Sequence, residues 1–428
     1  MPHLFRSSIT RNAGKLLSAN VVAQAIGLLV YPVLTRMYAP EDFGLLNLFA
    51  SLGGVLAIVA SLDWFNAIVL PKMDDQARPV VHISLLSIAA LTAVLLLSVP
   101  LAPYIAGVFN SPELATYYWL LPVYVCLMSL WSVLNYWYIR RKAYGRISGY
   151  QMSQSLFTAG YKTGFGAAGW LGGGLIYATI LAPLCSLVIS VSLSAKKHLS
   201  SLLTWDWSAC RQAARTYSNF PKYSAPRSLL NNLSGNLPTL MLTPVFGLTE
   251  LGFVGMAITL AFRPVQIIVQ SLFQVLFQRT AQMVNDGEPI TRFLVRFVAG
   301  AAVVIAPVFA GLYFILPWLT ALLLGEEWRV TGEYIRLLLP WIAMVVLATT
   351  INFVPDIFSR QRMMLWIEVA YLILRASALL IGVRLCSIVW AVRLFSYAGV
   401  IILTAELAWF ILLARTYDQS LKHGQIEQ

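Results

Sequence analysis

The sequence predicts an all-α, polytopic membrane protein of about twelve transmembrane helices arranged as two six-helix lobes. Three observations lead there: an apolar composition, apolar runs of spanning length, and a charge asymmetry between alternate loops. Of 428 residues, 59% are hydrophobic and only 11% charged, with mean hydropathy +0.73, whereas soluble domains carry about 25% charged residues. Crossing a hydrocarbon core takes about twenty apolar residues per helix. Runs of that kind lie near 14–35, 44–70, 80–101, 114–138, 147–168, 172–195, 219–246, 251–277, 293–318, 333–355, 363–383 and 387–412.

The segments between these runs assign the sides. One set, counting both termini, holds 21 of the 30 Lys and Arg, from Arg6, Arg11 and Lys15 through Arg140, Arg141 and Lys142 to Arg415 and Lys422. The alternate loops hold only Arg36, Arg329, Arg336 and Arg384. The positive-inside rule then places both termini, and the longest loop at 196–218, in the cytoplasm. The first apolar run is long and flows into a second, so it reads as a retained span and not a signal peptide.

The net charge of +12 is accounted for by this topology. The positives form short clusters between apolar runs rather than one basic face, which argues against nucleic-acid binding. Cys126, Cys185, Cys210 and Cys386 lack paired spacing, and His3, His82, His198 and His423 lie near helix ends or in tails. No disulfide framework, metal site, nucleophile–histidine pair or cofactor is indicated.

The midpoint loop divides the chain into 1–208, with spans 1–6, and 209–428, with spans 7–12. An offset of 208 lays "YAPEDFGLLNLFASL" (38–52) over "FGLTELGFVGMAITL" (246–260), pairing Asp42 with Glu250, Phe43 with Leu251 and Gly44 with Gly252. Gln24 falls on Asn232. An acid–apolar–Gly turn therefore recurs between two spans of each half. Six spans separate the copies, so the repeat is parallel, about a pseudo-two-fold along the membrane normal. Asp42 and Glu250 are expected to cap or brace external turns.

Several spans carry a polar stripe. In "SAPRSLLNNLSGNLP" (224–238), Arg227, Asn231, Ser234 and Pro238 fall within roughly 60° of one another on a helix, opposite Leu229, Leu230, Leu233 and Leu237. Span 5 has Gln151, Ser155, Thr158 and Lys162; span 8 has Arg263, Gln266, Gln270, Gln274 and Gln278; span 1 has Asn20, Gln24 and Tyr31; span 11 has Glu368, Tyr371 and Arg375. One such stripe reads as hydrogen-bonded helix glue. Five, four of them with an ionisable residue, indicate a hydrated cavity. The glutamines of span 8 fit either reading, and Arg375 also fits a simple pair with Glu368. Lys162, Arg227, Arg263, Arg375 and Arg393 lie within spans, against the acids Asp63, Glu368 and Glu406. The guanidinium fork suits phosphate, so a cationic cavity points to an anionic cargo. "GFGAAG" (164–169) matches a dinucleotide fingerprint but follows no strand; it reads as close helix packing and a tight turn.

"LTRMYAPEDFGLLNLFASL" (34–52) and "DWFNAIVLPKMDDQA" (63–77) resemble the N-terminal signature of Wzx-type O-antigen flippases, polysaccharide transporters of the multidrug/oligosaccharidyl-lipid/polysaccharide superfamily. "FRPVQIIVQSLFQVLFQRTAQ" (262–282) resembles the span-8 pattern of that family, though it is less proline-rich at its cytoplasmic end. The resemblance implies two lobes around a central cavity that opens alternately to each side of a bacterial cytoplasmic (inner) membrane. It implies a cargo of undecaprenyl-pyrophosphate-linked oligosaccharide, an O-antigen or related lipopolysaccharide unit, moved to the outer leaflet. It carries a cationic cavity onto Arg227, Arg263 and Lys162, with Arg375 and Arg393 beyond them and Asn231, Gln266, Gln270, Asn20 and Gln24 as polar lining. Proton or sodium coupling through Glu368, Asp63 or Glu406 and contact with polysaccharide polymerase and chain-length machinery are further implications. Two other readings compete. A cation-coupled drug antiporter of the same superfamily wants a carboxylate-rich N-lobe, where only Asp63 is available. A membrane glycosyltransferase or ligase could use Glu41–Asp42, but that external loop is short and its acid recurs as a repeat element; no catalytic residues are expected.

Overall fold

Inside a bilayer every backbone N–H and C=O must find its partner within the segment, so each apolar run is driven into a helix. The computed structural model describes residues 21–194, 202, 204–358 and 360–422, and among them every regular element is helical. In chain order these are α1 (Val21–Leu34), α2 (Pro40–Ser61), α3 (Asp74–Leu97), α4 (Leu121–Arg140), α5 (Tyr144–Ala167) and α6 (Gly173–Ser194). There follow α7 (Trp207–Thr216), α8 (Ala225–Asn285), α9 (Thr291–Leu324), α10 (Arg329–Thr349), α11 (Gln361–Arg384) and α12 (Ile388–Lys422). Short helical turns fill several of the connections.

Among the described residues nine segments are long and apolar enough to cross a membrane, and the protein is a multi-pass membrane protein. Described helix overlaps the expected runs, the first of them only from Val21, and three features account for nine segments in place of twelve. Spans 7 and 8 form one segment, Phe220–Asn285. The polar stripe of α5 keeps it out of the nine, and α1 is described only from Val21. α8 is not continuous: Gly247, at φ 80° and ψ 177°, breaks it into arms 225–246 and 248–285. Only glycine takes that φ without strain.

The chain forms two compact units, Met1–Gly252 and Phe253–Gln428. The first arm of α8, which the sequence assigns to the second half, packs in the first unit. In that unit α2, α4 and α6 enclose Leu48, Phe49, Leu121, Val125 and Ile176. A second cluster, with Trp64, Ile68, Val80 and Trp137, joins α3, α4 and α7. Arg140, at the end of α4, bonds Asp74 at 2.9 Å and the Ile68 and Pro71 carbonyls at 3.1 and 2.6 Å, stapling the α2–α3 connection. In the second unit α9 packs on α10, and α12 on both α10 and α11. There Asp418 of α12 accepts the Ile290 and Thr291 N–H groups at 2.8 and 3.1 Å, satisfying donors that the start of α9 leaves open.

α2 begins with Pro40 in its first turn, and the Asp42 carboxylate accepts the Ala39 N–H at 3.0 Å, a cap that fixes where the helix starts. Gly247 stands 208 residues after Ala39, just before the second arm of α8. The two helix starts cross in direct backbone contact. A Cβ on Gly44 would overlap the Leu248 carbonyl, and one on Gly252 would overlap the Pro40 carbonyl. Both pairs of equivalents, Gly44 with Gly252 and Pro40 with Leu248, differ by the same 208, so the contact is reciprocal. The "GFGAAG" glycines do pack closely: Gly166 lies under Tyr38 and Met37, and Gly169, at φ 76°, turns the chain towards α6.

Candidate functional site

The first arm of α8 carries the opening polar stretch of the chain's second half, and the structure divides its polar side in two. Ser224 and Ser228 donate to the same Asp63 carboxylate oxygen at 2.8 and 2.6 Å. Asp63 is only 2% exposed, at the end of α2 where Leu62 and Asp63 take φ of 47° and 56°. Asn232, one turn further along, lies against Gly54 of α2, and Asn236 donates to its carbonyl and side-chain oxygens at 2.9 and 3.0 Å. This face, together with the Leu248–Gly44 crossing, is what holds the arm in the first unit. Arg227 and Asn231 are both exposed, one turn apart. Ser234 and Pro238, expected beside them, are buried.

The stripes of spans 1 and 5 partly meet each other. Ser155 of α5 donates to the Ala23 carbonyl at 2.7 Å, next to Gln24, and Tyr38 donates to the Lys162 carbonyl at 2.7 Å. Burial, with the Asp42 charge adding to it, pushes the Tyr38 phenol up to about 12, so it stays a donor. Gln24 and Lys162 are half-buried. Asn20 lies outside the described residues. Along α5, Phe157, Tyr161 and Phe165 stack in sequence, and Phe165 stacks on Trp170 at 5.4 Å.

The second unit holds a different arrangement. Arg375 of α11 is 3% exposed, and its guanidinium lies 3.7 Å from the Phe395 ring centroid, 4.5 Å from Trp341 and 4.8 Å from Tyr371. The Trp341 indole donates to the Tyr371 hydroxyl at 2.8 Å, and Phe262 packs on Trp341 at 4.6 Å. A planar cation is well suited to this, since it stacks as well as pairs. Glu406 is buried within charge–charge reach of Glu368 and Tyr371. The structure therefore encloses Arg375 within the helix packing, whereas Arg263 is half-buried and Gln266, Gln270, Gln274 and Gln278 are exposed along the second arm of α8. Arg393 sits over the Trp390 ring at 4.8 Å.

Four features here were not read from the sequence: the Ser224/Ser228 clasp on Asp63, the ring cage of Arg375, the aromatic ladder of α5 and the reciprocal glycine crossing. The serines at i and i+4 and the aligned Gly44 and Gly252 were visible as spacings. The rings of the cage come from three helices and share no local pattern.

The family model for polysaccharide biosynthesis proteins matches residues 33–333. The chain belongs to that family. The succinoglycan biosynthesis transport protein ExoT of Rhizobium meliloti (strain 1021) is 22% identical over 348 residues, covering 79% of this chain and 67% of that protein. Among solved structures, an inward-facing multidrug resistance MATE family transporter of the MOP superfamily superposes with TM-score 0.74 at 13% identity, over 96% of this chain and 100% of that one. The lipid II flippase MurJ, in its inward closed conformation, gives 0.71 at 12% identity, over 96% and 93%. At such identities the likeness is one of fold. Family and fold together give a polysaccharide biosynthesis protein built on the helical architecture that the MATE transporter and the flippase MurJ share.

Proposed function

We propose that the protein flips an undecaprenyl-pyrophosphate-linked oligosaccharide, an O-antigen or related surface-polysaccharide unit, from the cytoplasmic to the outer leaflet of a bacterial inner membrane. The observation that carries this reading is the division of the first arm of α8. Its inner serines occupy the buried carboxylate of Asp63, while Arg227 and Asn231 stand exposed on another side. The exposed side of this arm carries a cation and an amide, a pair of groups that suits pyrophosphate. In the proposed path the pyrophosphate meets Arg227 and Asn231 from the cytoplasmic side, then Arg263. Gln266, Gln270 and Gln24 receive the sugars, and the polyprenyl tail stays in lipid. Two lobes, 1–208 and 209–428, would open alternately with both termini cytoplasmic. Coupling to protons or sodium would use the Glu368/Glu406 neighbourhood. Asp63, clasped by two hydroxyls, is the weaker coupling candidate.

The likeness to a MATE transporter supports one other reading, a cation-coupled drug antiporter. The burial of Asp63 argues against it, because a cationic drug needs an accessible carboxylate.

The test is Arg227→Ala and Arg263→Ala, singly and together, in cells making the polysaccharide. Lipid-linked oligosaccharide should accumulate in the cytoplasmic leaflet with the protein inserted at normal levels. Arg227→Lys should keep partial activity, and Leu230→Ala should mainly lower stability. Surface polysaccharide at wild-type amounts in the double variant would overturn the cationic path.

A further inference from the structure

α7 has a face that the proposed function does not use. Its inner side, Cys210 and Ala213, is buried against α3, with the Cys210 thiol 3.9 Å from the Pro79 carbonyl. On the other side Trp207, Arg211 and Arg215 follow one another at i, i+4 and i+8, all exposed. With Ser208 and Gln212 they line an open cleft of about 420 Å³. The helix carries no acidic residue.

The depth of α7 follows from α3. Pro79 is five residues past Asp74 and His82 eight, about 7.5 and 12 Å along the axis at 1.5 Å per residue. His82 stacks on Trp205 at 4.3 Å, and Trp205 meets the Trp207 ring at 5.3 Å. That is the level at which the apolar run of α3 begins. Asp206 accepts from the Ser208 and Ala209 N–H groups at 2.8 and 3.2 Å, so the helix start is built and not borrowed from a ligand. An amphipathic helix at this level, with tryptophan at the boundary and arginine outward, has the chemistry of a bilayer interface.

We infer that α7 docks anionic phospholipid headgroups of the cytoplasmic leaflet, Arg211 and Arg215 holding their phosphates and Trp207 seated at the headgroup boundary. The orientation rests on the proposed cytoplasmic placement of loop 196–218, which a reporter fused near Lys197 tests separately. Phospholipid is the occupant that the amphipathic pattern favours, with tryptophan at the boundary and arginine outward over an open cleft. Each basic residue at an anionic surface is worth about fivefold in partition, hence about thirtyfold for the pair.

The experiment is lipid retention by the full-length protein in detergent, read by native mass spectrometry against phosphatidylglycerol, phosphatidylcholine and undecaprenyl pyrophosphate. Wild type should prefer phosphatidylglycerol to phosphatidylcholine by about thirtyfold, a preference that high salt weakens. R211Q/R215Q should lose it while keeping the same thermal midpoint in phosphatidylcholine, and R211K/R215K should keep most of it. Equal retention of the two phospholipids by wild type, or an undiminished preference in R211Q/R215Q, overturns the inference. Retention of undecaprenyl pyrophosphate alone, lost in R211Q/R215Q, also overturns it and makes α7 a cargo site.

Discussion

Replacing Gly44 or Gly252 by alanine tests the reciprocal crossing of the two helix starts. Each new Cβ would overlap a backbone carbonyl, Leu248 for Gly44 and Pro40 for Gly252. A carbonyl cannot rotate aside as a side chain can, so the helices must part. Overpacking of this kind typically costs about 1–3 kcal/mol. Alanine regains about 0.5–1 kcal/mol of helix propensity, which leaves a net loss of about 1–2 kcal/mol for each variant. Both clashes are relieved by one separation of the same pair of helices. The double variant should therefore lose little more than either single one, a coupling on the order of 1–2 kcal/mol. Equilibrium unfolding in mixed micelles measures all three losses. Gly235→Ala is the control, because its Cβ would meet nothing within 4 Å, and it should be neutral or stabilising. The reasoning fails if Gly44→Ala and Gly252→Ala behave like Gly235→Ala, or if the double variant loses the sum of the two.

Three other expectations follow from named contacts. Asp63→Asn keeps an oxygen that can accept from both Ser224 and Ser228 but loses the charge that strengthens the two bonds, so it should cost about 1 kcal/mol while transport continues; loss of transport at unchanged stability would make Asp63 a titrating coupling group instead. Arg375→Lys keeps the charge but not the plane that lies over Phe395, Trp341 and Tyr371, so its thermal midpoint should fall, and a wild-type midpoint would deny the ring cage its role. Hydrogen bonds from Ser208 and Ala209 hold Asp206 below the usual carboxylate range, so its cap on α7 is fully present above the unfolded value of about 3.9 and is lost as pH falls through the lower folded value; the amide protection of α7, exchange relative to the unstructured rate at the same pH, should be constant from neutral pH down to about 5 and fall in stronger acid, and Asp206→Ala should show the lowered protection at every pH.

The helices were legible in the sequence because a bilayer leaves an apolar run of twenty residues few alternatives. The break near 247 was legible too, since the acid–apolar–Gly turn at Asp42–Gly44 recurs at Glu250–Gly252. What periodicity could not give was the partner of each polar face. On a helical wheel Ser228 and Arg227 are neighbours, yet one bonds buried Asp63 and the other is exposed. That difference depends on where α2 ends, at a carboxylate 161 residues before Ser224. The same limit explains Arg375: its own helix offers Glu368 and Tyr371, while Trp341 and Phe395 arrive from α10 and α12. The first arm of α8 falls with the second half in the sequence because the loop at 196–218 and the repeat both point there; its packing partners, Gly54 and Asp63, are long-range.

The central claim is that Arg227, exposed, and Arg263, half-buried, conduct a pyrophosphate-linked lipid. The direct measurement is flipping of fluorescent undecaprenyl-pyrophosphate oligosaccharide in proteoliposomes, read by quencher access to one leaflet. Wild type should move the lipid, Arg227→Lys more slowly, and Arg227→Ala/Arg263→Ala at least about tenfold more slowly, since each charge-assisted bond is worth about 1.5–3 kcal/mol. Flipping by the double alanine variant at the wild-type rate, or export of cationic dyes by a wild-type protein that leaves the lipid in place, would contradict it.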